Sequence, residues 1–216
     1  MTQNAILSGD GDDSAVVTRL AQRALARREA GYTEEVRRLL DAGMDVMRRS
    51  GTSSSPRVAD IVRAAGLSND AFYRHFTGKD ALVAAIVEAG AERLVGYLGH
   101  QMGKVDDPEG QLRRWVEGIM AQAADVEVAE TTRAVLWNGS SVGDSSRRDE
   151  STTFAPIAAL LLAPLAALGS ADPDRDAAVM VQAVMGRMQE FLWRRAEPGA
   201  DDIEHVVRFC LAAVAG

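Results

Sequence analysis

Cysteine is nearly missing from this chain of 216 residues: Cys210 stands alone, so no internal disulfide can form and no cysteine pair can hold a metal. A reducing compartment, the cytoplasm, is the natural setting. Histidine is as scarce, with only His75, His100 and His205, and no Cys-His pair, glycine-rich phosphate loop or metal-ligand spacing accompanies them. Neither catalysis nor a metal or other cofactor is expected. The acid pairs Asp106-Asp107 and Asp201-Asp202 fall at helix starts, where capping accounts for them. Long apolar runs are missing too. The longest, residues 155–168, is too short to span a bilayer and contains Pro156 and Pro164, and Asp10, Asp12 and Asp13 stand where a signal peptide needs its apolar segment. A soluble protein without a membrane partner is expected.

Positive charge is in deficit overall, 24 Lys and Arg against 31 Asp and Glu, a net −7 that disfavours a polyanion partner. The deficit is uneven. Residues 14–79 carry twelve basic residues against seven acids, whereas residues 80–216 carry twelve against twenty-one. An electrostatic footprint for nucleic acid therefore belongs to the first third.

Period-two alternation is also lacking, while apolar residues recur at i, i+3, i+4 between Gly and Pro punctuation, so the chain is expected to be all-α with about nine helices. Thr33, followed by Glu34 and Glu35, suits the N-cap of a first helix reaching Arg49, stopped by Gly51. Ser55 and Pro56 suit the start of a second that breaks at Gly66; Ser68 can cap a third reaching His75 or Phe76; Lys79 opens a fourth reaching Met102. Longer helices are expected over 108–124, 126–137, 152–168, 173–195 and 201–215, with a polar loop over 138–151. Before them, Arg19, Arg23 and Arg27 recur opposite Val17, Leu20 and Ala24, the pattern of an amphipathic extra helix with a solvated basic face, favoured over the alternative of an arm for a DNA minor groove.

Two short helices joined by a three- or four-residue turn containing Gly make the corner that sets a second helix in a DNA major groove. In "VADIVRAAGLSNDAFYRHFTGKDAL" Ile61, Ala65 and Leu67 can set the crossing angle, and Gly66 can take a positive φ. Such a corner can also be purely structural. This stretch, however, closely resembles the signature of the TetR family of bacterial transcriptional repressors: a short reading helix ending in Tyr-x-His-Phe, then a lysine opening the fourth helix. The match runs from about Thr33 to Ile86. The resemblance implies a homodimer of all-α chains, each with an N-terminal three-helix DNA-binding unit and a larger C-terminal domain that dimerises and binds a small effector. It divides the chain into an extension (1–32), a helix-turn-helix domain (33–80) and an effector-binding and dimerisation domain (81–216).

Ser55, Arg57, Ser68, Asn69, Asp70, Tyr73, Arg74, His75 and Lys79 are the expected DNA-binding residues. Ser68, Tyr73 and Lys79 suit phosphate; Asn69, Asp70 and Arg74 suit base edges, Asn to adenine, Asp to a cytosine amine, Arg to guanine. His75 has either a DNA-side or a packing role. The family commonly has a Lys-Gly or similar pair where Asn69-Asp70 stand, so this helix starts less positive. In the second half, Trp115, Met120, Trp137, Phe154 and Met185 are expected to line an effector pocket. Val181, Val184, Met188, Phe191, Val207, Cys210 and Val214 are expected at the dimer interface, in a four-helix bundle across the two-fold axis. The function implied is a ligand-responsive regulator, a repressor released from a double-stranded operator by a small molecule. The competing expectation is a helical small-molecule-binding protein or antirepressor that has lost specific DNA binding.

Overall fold

The computed structural model describes residues 10–140 and 150–214, and side chains within 16–140 and 154–214. Among these residues the chain is all-helical, with ten helices and no strand. In chain order they are α1 (Asp10–Ser50), α2 (Val58–Ala65), α3 (Asn69–His75), α4 (Lys79–Met102), α5 (Pro108–Ala124), α6 (Val126–Ser140), α7 (Glu150–Ala159), α8 (Leu162–Ala167), α9 (Pro173–Arg194) and α10 (Ala200–Val214). Most of the expected polar loop, residues 141–149, lies outside the described residues.

Helix α6 runs on to Ser140 and α7 begins at Glu150, both within the expected loop, and three further boundaries differ from the sequence expectation. Thr33 caps nothing: α1 is one helix of 41 residues running through it. Ala, Leu, Arg, Gln and Glu dominate residues 19–30, and the one weak position, Gly31, costs only about 1 kcal/mol. Val17, Leu20 and Leu25 remain exposed, so this segment is helical without packing its apolar face on the rest of the chain. The helix expected over 152–168 is two, because Pro164 has no N–H for the carbonyl of Leu160 and its ring crowds that carbonyl. Leu161 N instead bonds Ala158 O at 2.9 Å, a tighter turn that separates α7 from α8. The third is α2, which starts at Val58 rather than at Pro56. The residue before a proline is pushed to extended backbone, and Arg57 also stays extended (φ −104°, ψ 141°) with no side-chain cap bond.

The helices enclose two apolar clusters. The first joins Leu39, Val46 and Met47 of α1, Ile61, Val62 and Ala65 of α2, Phe72 of α3, Leu82, Val83 and Ile86 of α4 and Ala134 of α6. Gly43 is needed there: a Cβ would lie 2.8 Å from Ile86 Cδ1, so α1 and α4 could not approach as they do. The second centres on α5, whose Leu112, Trp115, Val116, Ile119 and Met120 meet Leu98 and Met102 of α4, Leu165 of α8, and the buried stripes of α9 and α10. Helix α4 thus contributes its first half to one cluster and its last turns to the other. Each large side chain fully buried in these clusters favours folding by about 1.5–3 kcal/mol over the exposed state. No described helix is long and apolar enough to cross a membrane.

Candidate nucleic-acid interface

The corner forms as its residues dictate. Helix α2 ends where Gly66 turns left-handed (φ 62°, ψ 37°), and Leu67 N reaches back to Val62 O at 2.9 Å. Arg38 of α1 clamps the turn, donating from Nη2 to the carbonyls of Ala65 and Gly66. Ser68 has extended backbone, and its Oγ accepts from Ala71 N at 3.1 Å, which caps α3. Ala71 and Phe72 are buried, Phe72 completely, and seat the helix in the first cluster. Ser68, Asn69, Asp70, Tyr73 and Arg74 face outward, Tyr73 at 59% exposure. A seven-residue helix so divided offers one polar face to solvent and holds its position by the other.

Its far end is tied to α1 by residues that sequence reasoning overlooked. Glu35 accepts from Arg74 Nη2 at 2.9 Å and stands 2.7 Å from His75 Nε2. Tyr32 OH donates to Arg74 O at 3.2 Å, and its ring meets the His75 ring edge-on at 4.1 Å. These two hydrogen bonds, that from His75 before that from Arg74, hold the Glu35 carboxyl below the ordinary glutamate value. A carboxylate only accepts, so His75 donates through Nε2; its Nδ1 is buried without a partner. His75 is therefore corrected from the DNA-binding set: its side chain is 1% exposed and supports α3 from behind. Arg74 remains on the surface at 56%, with one nitrogen committed to Glu35. Nothing local could have revealed this, since Glu35 lies 39 and 40 residues from its partners.

On the other flank, Ser55 and Lys79 line one small recess with Pro56 and Asp80, although 24 positions separate them. Arg57 is exposed beside it. Ser55, Arg57 and Lys79 thus gather at one end of the corner, and Ser68, Asn69, Asp70, Tyr73 and Arg74 occupy the other helix of it.

In the second half, Trp115, Met120 and Met185 are buried in the second cluster, and Trp115 Nε1 donates to Ile157 O at 3.1 Å. Phe154 packs at its edge and Trp137 is half-buried on α6. Six of the seven residues expected at a dimer interface, Val181, Val184, Met188, Phe191, Val207 and Cys210, are buried within this chain, and Val214 is half-buried. The six buried ones are corrected to core positions. Sequence periodicity finds the stripe that a helix buries, and here that stripe faces α5. Burial pushes the Cys210 thiol up to about 11, the behaviour of an inert packed thiol. The opposite face of α9 leaves Val179, Ala183, Gly186 and Trp193 exposed, and that of α10 leaves Phe209, Ala212 and Ala213 exposed.

Comparison with known proteins agrees with this geometry. Residues 39–86 match the family described as bacterial regulatory proteins, tetR family. No curated protein matches the chain. Among solved structures, a protein of Pseudomonas aeruginosa PAO1 assigned as a transcriptional regulator superposes with a TM-score of 0.63 at 23% identity, covering 84% of this chain and 88% of that one. A transcriptional regulator from Rhodococcus sp. Rha1 gives 0.61 at 22%, covering 83% and 95%. A TetR-family transcriptional regulator from Streptomyces coelicolor gives 0.56 at 20%, covering 91% and 92%. The chain thus carries the helix-turn-helix segment of the tetR family of bacterial regulatory proteins, within the fold of the TetR-family transcriptional regulators.

Proposed function

We propose that the protein is a cytoplasmic, ligand-responsive transcriptional repressor that binds a pseudo-palindromic DNA operator as a homodimer. The observation that supports this best is α3: capped by Ser68, seated by Phe72, tied back by Glu35, and leaving Asn69, Asp70, Tyr73 and Arg74 on its open face. Lys79, Ser55, Arg57 and Tyr73 would meet phosphates, which position the protein; Asn69, Asp70 and Arg74 would meet base edges, which specify sequence. Glu35 holds one Arg74 nitrogen, so the remaining donors are offered to guanine from an oriented guanidinium.

The DNA-reading head would comprise residues 33–80 and the body residues 81–216. A partner subunit would meet the exposed face of α9 and α10, where Val179, Ala183, Gly186, Phe209 and Ala212 allow close helix approach. An effector that prefers one dimer geometry would change the spacing of the heads through α4, which packs in both clusters. Trp115, Met120, Trp137, Phe154 and Met185 stay as the apolar wall of such a site in the body.

The test is selection of bound duplexes from a random pool, followed by titration of the winning site against salt. A specific site whose affinity falls steeply with salt is expected. The second reading, a helical ligand-binding protein without DNA specificity, is favoured by one observation: Asp70 lies exposed in the first turn of α3, where it opposes phosphate. Recovery of no preferred sequence would select it.

A further inference from the structure

Away from the reading helix, a cleft of about 280 Å³ opens where the end of α1 meets α6 and the end of α9. Its wall carries four arginines, Arg48 and Arg49 from the last turn of α1, Arg133 from α6 and Arg195 from the cap of α9, with Glu130 the one carboxylate. The Gly51–Ser53 turn closes one side with backbone and hydroxyl groups. In a chain of net charge −7, this is a local excess of positive charge that the fold assembles from three separate segments.

The helix ends explain part of it. The C-termini of α1 and α9 each present about half a negative charge, which favours nearby cations. They do not account for Arg133. That residue is 8% exposed; its Nε donates to Leu192 O at 2.8 Å, and its two terminal nitrogens have no partner among the described residues. With its stem and Nε buried and its terminal nitrogens open to the cleft, Arg133 presents oriented donors that a bidentate oxyanion can take over from water. Arg195 holds the only positive φ of a non-glycine residue among those described (53°), so backbone conformation costs energy at the same place. Arg48 reaches Asp45 at 3.5 Å, a loose exposed pair that an incoming anion can displace.

We infer that this cleft binds a small polyanion, a di- or tricarboxylate or a phosphorylated metabolite. Its volume is near the lower end of ordinary ligand pockets. A DNA backbone held by α3 is the poorer occupant: Arg48 lies thirteen residues along α1 from Glu35, about 20 Å at 1.5 Å per residue, so the cleft and the far end of α3 meet that helix at well-separated points. The place matters, because α1 and Ala134 belong to the first cluster while Arg133 bonds the end of α9 in the second. An anion bridging Arg49 and Arg133 would therefore tie the head to the body.

Calorimetric titration of the full chain, without DNA, tests this with citrate, pyrophosphate and glucose 6-phosphate as probes and chloride as the control. Saturable binding of one carboxylate or phosphate probe is expected, weakening as salt rises. Loss of one charge-assisted contact in Arg49→Gln should weaken it roughly tenfold, and Arg133→Met should abolish it. Arg49 is exposed, so the first variant stays informative if the second fails to fold. The carboxylate and phosphate arms separate the two chemistries. No saturable binding by any probe, or equal binding by the wild type and Arg49→Gln, would overturn the site. The titration needs no operator, so its failure is distinct from failure of the repressor reading.

Discussion

The two clusters hold their helices by different means. Around α5 the second cluster joins helices of 17, 22 and 15 residues through apolar stripes, and an isolated helix of that length already approaches marginal stability. The first includes helices of only eight and seven residues, too short to persist alone. Their ends are held by side chains of α1: Arg38 on the carbonyls of the corner, Tyr32 and Glu35 on the end of α3. Whereas α9 buries eight of its 22 residues, a seven-residue helix with one face bare has few left to bury. Polar clamps from a long neighbour replace the packing that it forgoes.

That contrast can be broken from either side. Phe72→Ala and Trp115→Ala each empty a fully buried aromatic site, and each should lower stability by about 3–5 kcal/mol in urea unfolding. Only Phe72→Ala should also remove DNA binding under conditions where the chain stays folded. Equal loss of binding in both would show that the clusters do not act separately. A smaller effect is expected from Gly66→Ala: a left-handed non-glycine residue costs about 1–2 kcal/mol, and the new Cβ would lie 2.9 Å from Arg38 Nη2. Ser68→Ala, which removes the cap of α3, should cost about 1 kcal/mol, with Ser68→Asp retaining most of the loss-free stability but weakening DNA binding.

The clamp at Glu35 has a pH signature. Its carboxyl is held below the ordinary value in the folded chain, so the contact contributes fully above the unfolded glutamate value and is lost as pH falls through the lowered folded one. Stability measured from about pH 5 down to about pH 3 should fall more steeply in the wild type than in Glu35→Gln. Identical slopes would mean the pair contributes nothing. The smallest effect on folding, and the most informative for function, is expected from Lys79→Ala. It should leave unfolding unchanged, weaken binding to all duplexes alike and reduce the salt slope by about one, whereas Arg74→Ala should relax preference at one base position at a cost of roughly 1–3 kcal/mol. If the two variants behave alike, Arg74 only supports α3 through Glu35.

Much of this architecture was legible beforehand. The bounds of α4 and α5, the glycine at the corner and the serine cap follow from local chemistry, because a cap, a breaker and a left-handed turn are each decided within a few residues. The unbroken α1 was not legible, since Thr33 is as good a cap as Ser68 by itself and only the helical propensity on both sides overrules it. The burial of Val184 and Val207 was misassigned for a related reason: periodicity tells which face is apolar, not whether the partner is the same chain or another.

The sequence alone determined an all-helical chain, a helix-turn-helix with a polar open face, and a basic first third in an acidic whole, because these depend on spacing and local conformation. Tertiary structure decided what lies behind that face and what faces away from it. His75 became a buried support, Arg74 a tethered donor, and four arginines from α1, α6 and α9 came to share one cleft. Such juxtapositions join residues 39 to 147 positions apart, and only the packing of helices sets which of them meet.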